Sequence, residues 1–124
     1  MRPAADDIDA RRPVWKAFSA LYLDTDYRRE VRWAARAAAA SPYAEAELQA
    51  ILLHEVHPVL RGNLRVPAGV WDGFDPDWLA STILRRSRRP GWLRLDGCMR
   101  GYADHLWRLL APRIRRQRRM EPPQ

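Results

Sequence analysis

Apolar residues along this chain recur at the three-to-four-residue spacing of a helix, and no segment alternates as a half-buried strand would. Val14, Phe18, Leu21 and Tyr22 share one face with Trp15 at its edge, predicting a first helix that begins near Pro13, a residue favoured at the first helical position. Leu23-Asp24-Thr25-Asp26 stops it and offers side chains that can cap the next. A second helix over 27–40 carries a thin stripe of Tyr27, Val31, Ala34 and Ala38, small enough for another helix to approach closely, and Ser41-Pro42-Tyr43 ends it. The third, over 44–57, aligns Leu48, Ile51, Leu52 and Val56, with Val59 beyond. Pro58 has no amide hydrogen, so it is predicted to kink or end that helix and to leave the His54 carbonyl without its usual partner.

Residues 63–74, with several glycine and proline breaks, read as the one substantial loop. Asp75-Pro76 then supplies an N-cap acid and a first-turn proline for a fourth helix built on Leu79, Ala80, Ile83 and Leu84. Ser87-Arg88-Arg89-Pro90-Gly91 closes it, and a fifth over 96–111 aligns Met99, Tyr102, Leu106, Leu109 and Leu110. After Pro112, residues 113–124 have little apolar surface to offset the entropy of ordering them and read as a frayed basic tail. The expectation is an all-α, compact single-domain bundle of about five helices spanning 1–112, followed by that tail.

Composition narrows the class. A chain of 124 residues with 47% hydrophobic content can bury an ordinary core without a disulfide or metal staple. Met1-Arg2-Pro3-Ala4-Ala5-Asp6-Asp7 lacks the apolar stretch of a secretory signal, and no apolar run approaches the roughly 20 residues of a membrane span. The lone cysteine, Cys98, excludes an internal disulfide and every cysteine-based zinc pattern, and it reads as a small packed thiol. A cytoplasmic protein with no membrane partner is expected.

The formal charge of +7 is uneven. Residues 1–40 carry a net +2, residues 41–84 a net −4, and residues 85–124 a net +9. Lys16 is the only lysine among 22 basic residues, and with so much Ala, Pro and Trp this skew matches the codon bias of a GC-rich genome. Arginine preference is therefore weak evidence for phosphate recognition, although arginine suits it chemically. The candidate nucleic-acid residues are Arg85, Arg86, Arg88 and Arg89, then Arg113, Arg115, Arg116, Arg118 and Arg119. No helix-turn-helix spacing or aromatic nucleic-acid motif accompanies them.

Catalytic patterns are scarce. No Gly-rich phosphate loop is present, and no cofactor or metal is expected. His54-Glu55-Val56-His57 fails the zinc-protease pattern because Pro58 stands where the second histidine belongs, so both histidines read as surface or helix-end residues. His105 beside Asp104 reads as a solvated pair. Glu55 is the most informative polar residue. It falls near the centre of an apolar face, where a carboxylate must find a partner or become neutral. An arginine of the first two helices, a tryptophan N–H or a tyrosine hydroxyl would serve. It is either a packing anchor or an acid–base group beneath the 63–74 loop. Trp33 projects away from its helix's apolar stripe between Arg29 and Arg36. It is either covered by another element or an exposed platform for a base or a partner protein.

Three ordered segments, Val14-Trp15-Lys16-Ala17-Phe18-Ser19-Ala20-Leu21-Tyr22-Leu23-Asp24-Thr25, Glu55-Val56-His57-Pro58-Val59-Leu60-Arg61-Gly62-Asn63-Leu64 and Ala68-Gly69-Val70-Trp71-Asp72-Gly73-Phe74, resemble a family of small uncharacterised bacterial proteins classed as a domain of unknown function. The resemblance spans roughly residues 12–84 and leaves the basic region 85–124 outside it. It implies a bacterial, stand-alone helical protein and brings no activity or catalytic residue. Two functions remain open. One is a non-enzymatic domain that binds another protein, as a small regulatory or immunity-type partner, with Trp33, Trp71, Phe74 and Trp78 as contact candidates. The alternative is electrostatic binding of nucleic acid through the arginine-rich C-terminal third.

Overall fold

In a computed structural model of the chain, residues 1–22, 27–61, 75–88 and 101–120 are described, without the side chains of 27–29. These residues form an all-α fold with no strand among them. A 3-10 turn at Ala4–Asp6 leads into α1 (Ile8–Ser19), and a second turn (Ala20–Tyr22) follows it. Then come α2 (Tyr27–Ala40), α3 (Glu45–Ile51), a π-helical turn (Leu52–Val56), α4 (His57–Leu60), α5 (Pro76–Ser87) and α6 (Gly101–Met120).

α1 starts at Ile8, about one and a half turns before the expected start at Pro13. Proline is tolerated inside it because Asp9 and Pro13 are both exposed, so the carbonyl that Pro13 cannot serve faces solvent. The early turn is also held by its side chains: Arg11 pairs with Asp7 one turn earlier, Nη1 to Oδ2, at 3.3 Å. Val14, Trp15 and Phe18, with Leu21 and Tyr22 of the following turn, form the buried face. α1 packs on both α2 and α5.

The third expected helix is one run in which α3, the π turn and α4 follow without a break. Pro58 neither ends nor breaks it. The His57 N–H reaches back five residues to the Leu52 carbonyl, so the chain widens by one residue per turn just ahead of the proline. Leu48, Ile51, Leu52, Val56 and Leu60 remain buried on one side of the run. The His54 carbonyl accepts the Arg86 Nη1 donor of α5 at 3.3 Å. At the start of α5, the Asp75 carboxylate caps the Asp77 amide at 3.0 Å.

α6 is the largest departure from expectation. It passes through Pro112 and continues to Met120, so residues 113–120 are helix and not a frayed tail. Pro112 and Arg108, whose carbonyl loses its donor, both lie on the exposed side. Ile114 is 1% exposed and extends the apolar face of Leu106 and Leu110 by a further turn. α6 packs most extensively on α2, whose buried residues are Val31, Ala34, Ala35 and Ala38. The two helices run in the same direction. Tyr102 at the head of α6 donates to the Leu21 carbonyl ahead of α2 at 2.8 Å, and Arg118 near its end reaches the end of α2.

That end of α2 is closed by two side chains: the Ser41 hydroxyl donates to the Ala38 carbonyl, and Arg118 arrives from α6. Arg118 donates from Nε to the Ala39 carbonyl at 3.3 Å and from Nη2 to those of Ala38 (3.3 Å), Ser41 (3.5 Å) and Tyr43. The last carbonyls of a helix have no intrahelical donor, and a cation there also meets the negative end of the helix dipole. Arg115 adds an ion pair to Glu45 in α3, with Nε 3.0 Å from Oε2. No helix among the described residues is long and apolar enough to cross a membrane.

Truncation after Ala111 should therefore lower the melting temperature substantially, since it removes Ile114 and the Arg118 cap together. Arg118→Ala should cost about 1–3 kcal/mol in chemical denaturation. Exposed Arg119→Ala should stay within about 0.5 kcal/mol.

Candidate functional site

Arg11, which the sequence reading did not single out, organises the polar interior. It is 1% exposed. Its Nη1 meets Asp7 Oδ2 and its Nη2 lies 3.1 Å from Glu55 Oε2. Its guanidinium carbon stands 5.2 Å from the centre of the Tyr43 ring, and the Tyr43 hydroxyl donates to the same Asp7 oxygen. Glu55, whose side chain is 16% exposed, accepts the Trp15 indole N–H on its other oxygen at 2.8 Å. Both expected kinds of donor, an arginine of the first helix and an indole, thus converge on one carboxylate. Each oxygen ties the π turn to α1. Arg11 Nε is buried without a hydrogen-bond partner among the described residues. The sequence signal for Arg11 was its position one turn before Trp15 and one turn after Asp7, hidden by starting the helix at Pro13.

The two histidines part company. His54 is exposed, whereas His57 is 1% exposed, contrary to its reading as a surface or helix-end residue. His57 Nδ1 lies 2.8 Å from the Tyr22 hydroxyl, and Tyr22 packs edge-on against Tyr102 with ring centres 5.3 Å apart. Burial above all, and then Tyr102, pushes the Tyr22 hydroxyl well above the usual tyrosine range, so it stays protonated. Among the described residues no group of three or more His, Cys, Asp or Glu side chains is placed to hold a metal.

The two described partner-binding candidates stand on different helices. Trp33 is 63% exposed on the outer face of α2, uncovered by any element described, with the Arg36 guanidinium 5.8 Å from its ring. Trp78 is 43% exposed on α5, a helix that shares no extensive contact with α2. Trp71 and Phe74 lie outside the described residues, as do Arg89 and Cys98.

The nucleic-acid candidates divide by use. Arg86, Arg115 and Arg118 are engaged with the His54 carbonyl, Glu45 and the end of α2. Arg85 and Arg88 are exposed at the end of α5, and Arg113, Arg116 and Arg119 are exposed on α6.

Fold and site together define a small helical domain knit by a buried arginine–carboxylate network and bearing an arginine-flanked surface tryptophan. The chain belongs to the DUF7079 family, a domain of unknown function, whose model matches residues 9–119. The match runs from the first turn of α1 almost to the end of α6, so the C-terminal arginines fall within the family domain and not beyond it. No curated protein and no solved structure matches the chain.

Glu55→Ala should destabilise the fold by about 2–4 kcal/mol, because it strips Trp15 of its acceptor and leaves Arg11 buried with only Asp7. Glu55→Gln keeps an acceptor for the indole and should lose less, as urea titration would show. Tyr43 gives a pH test. Burial, followed by its hydrogen bond to Asp7, pushes its hydroxyl up to about 12 from the ordinary 10.0. The folded state holds that proton more tightly, so its contribution is complete below pH 10 and is lost as the pH rises toward 12. In Tyr43→Phe the alkaline fall in stability should be shallower, measured by denaturation across that window.

Proposed function

We propose that this domain is a non-enzymatic module that binds another protein, as a small regulatory or immunity-type partner, through the outer face of α2. The observation that carries this reading is Trp33, 63% exposed with Arg36 against its ring. Holding a tryptophan in water is unfavourable, and tryptophan and arginine dominate the energetic centres of protein interfaces. Arg32 is exposed beside it, and neither Arg32 nor Arg36 has an acidic partner among the described residues. The complementary partner surface is acidic, with an apolar recess for the indole. A bacterial, cytoplasmic setting belongs to this reading, supported by the lone cysteine and the near-total use of arginine over lysine.

The second reading, electrostatic binding of nucleic acid, draws its support from Arg113, Arg116 and Arg119, which are exposed on α6 and form no ion pair with the described chain. It is weakened by the internal duties of Arg86, Arg115 and Arg118.

Affinity capture from nuclease-treated host lysate, with wild type and Trp33→Ala side by side, separates the two. The expected outcome is a specific protein retained by wild type and weakened at least about thirtyfold in the variant, the scale of a hot-spot residue. Capture that ignores Trp33→Ala, or that vanishes with nuclease, would count against the α2 face. Binding to DNA or RNA that falls steeply with salt and drops in an Arg113, Arg116 and Arg119 triple alanine variant would favour the alternative.

A further inference from the structure

The outer face of α2 has an internal order. Helical spacing sets Trp33, Ala37 and Ala40 in one strip, each about a turn beyond the last. Arg32 and Arg36 stand one turn apart along one flank of that strip, and Glu30 lies on the other. Trp33, Ala40 and both arginines are exposed, while Ala37 and Glu30 are half-buried. The outside of α2 is thus amphipathic in its own right, an apolar strip with a basic rail on one side.

We infer, on the basis of the α2 interface proposed above, that the partner lays an amphipathic α-helix along this strip. Its apolar stripe covers Trp33, Ala37 and Ala40, and its acidic side chains stand only on the Arg32 and Arg36 flank. Like charges one turn apart repel and weaken a helix, and no carboxylate of the described chain pairs with either arginine. Acids one turn apart on an apposed helix repeat at the same rise of about 6 Å, so each can meet one guanidinium. Acids on the opposite flank would meet Glu30 instead, which fixes the side on which the partner carries its charge.

Ala37 and Ala40 have a competing explanation, because alanine is the strongest helix former and suits any exposed helical position. Trp33 does not share it. Tryptophan is a weaker helix former, and at 63% exposure this one holds a large apolar surface in water. Small side chains beyond it let a second helix approach closely, with the indole entering a gap between that helix's side chains. An extended partner segment fits less well. Laid against a helix, it would cover backbone groups that have nothing to bond, and the described residues offer no sheet edge for it to join. A helix arrives with its backbone already paired.

Panning phage-displayed random peptides, each about as long as α2, on the full chain tests this, once those that also bind Trp33→Ala are removed. The retained sequences should carry apolar residues at helical spacing with Asp or Glu one turn apart on a single flank. Synthetic copies should gain helical circular dichroism on binding. Arg32→Glu and Arg36→Glu should each weaken them at least about tenfold. Exchanging the peptide's acids for lysines should restore binding to the double variant, a rescue that a merely unfolded variant would not give. Arg88→Glu, the same charge change on a helix without extensive contact to α2, should alter binding less than about twofold. Trp33-dependent peptides that lack the acidic flank, or that bind without becoming helical, would overturn the inference and leave the α2 interface standing. A library with no Trp33-dependent peptide would remove the interface and the inference together.

Discussion

The fold turns on a guanidinium that has almost no access to water. At 1% exposure Arg11 must be matched by charge and hydrogen bonds, and its partners come from three separate places: Asp7 ahead of α1, Glu55 in the π turn, and the ring of Tyr43 after α2. Moving any one of those segments by an ångström or two would leave a buried ion unbalanced, at a cost comparable to much of a small domain's stability. An apolar side chain of similar volume would tolerate such slippage. The network therefore selects one mutual arrangement of α1, the π turn and the Tyr43 corner, while the apolar residues around it supply most of the favourable energy.

Arginine plays two opposed parts in this chain. Arg11, Arg86 and Arg118 bond inward and complete backbone or carboxylate groups that would otherwise lack donors or counter-charge. Arg32, Arg113, Arg116 and Arg119 point outward without a described acidic partner. Net charge cannot separate these roles. Counting the C-terminal arginines overstates the surface available to a polyanion, because the most deeply engaged of them, Arg118, is spent on four carbonyls of its own chain.

Helical periodicity made most of the architecture legible. The span of α2, the capped start of α5 and the buried faces around Leu48, Ile51, Leu79 and Ile83 follow from side-chain spacing, which burial enforces directly. Glu55 was legible for the same reason, as a charge on an apolar stripe, and so was the open His54 carbonyl. The three prolines within helices were harder. Pro13 and Pro112 read as boundaries, yet each stands on an exposed side where water can serve the orphaned carbonyl. Pro58 is accommodated by a change of helical pitch that leaves no mark on the apolar pattern until His57 is found inside and His54 outside. Residues 113–120 looked too charged to order, because the value of Arg118 depends on carbonyls 75 or more residues earlier. Spacing along a helix carries no information about partners that far away.

The clamp of Arg118 on α2 also has a meaning in time. A ribosome delivers α2 and the turn after it long before it reaches residue 118, so until then that helix end is capped by Ser41 alone. The side of α2 that packs on α6 is likewise uncovered until α6 arrives to lie along it. Early segments can reach local helicity during synthesis, but they cannot lock. Full closure waits for α6, and a nascent chain halted between the two would present to the cell the apolar flank that the folded domain conceals.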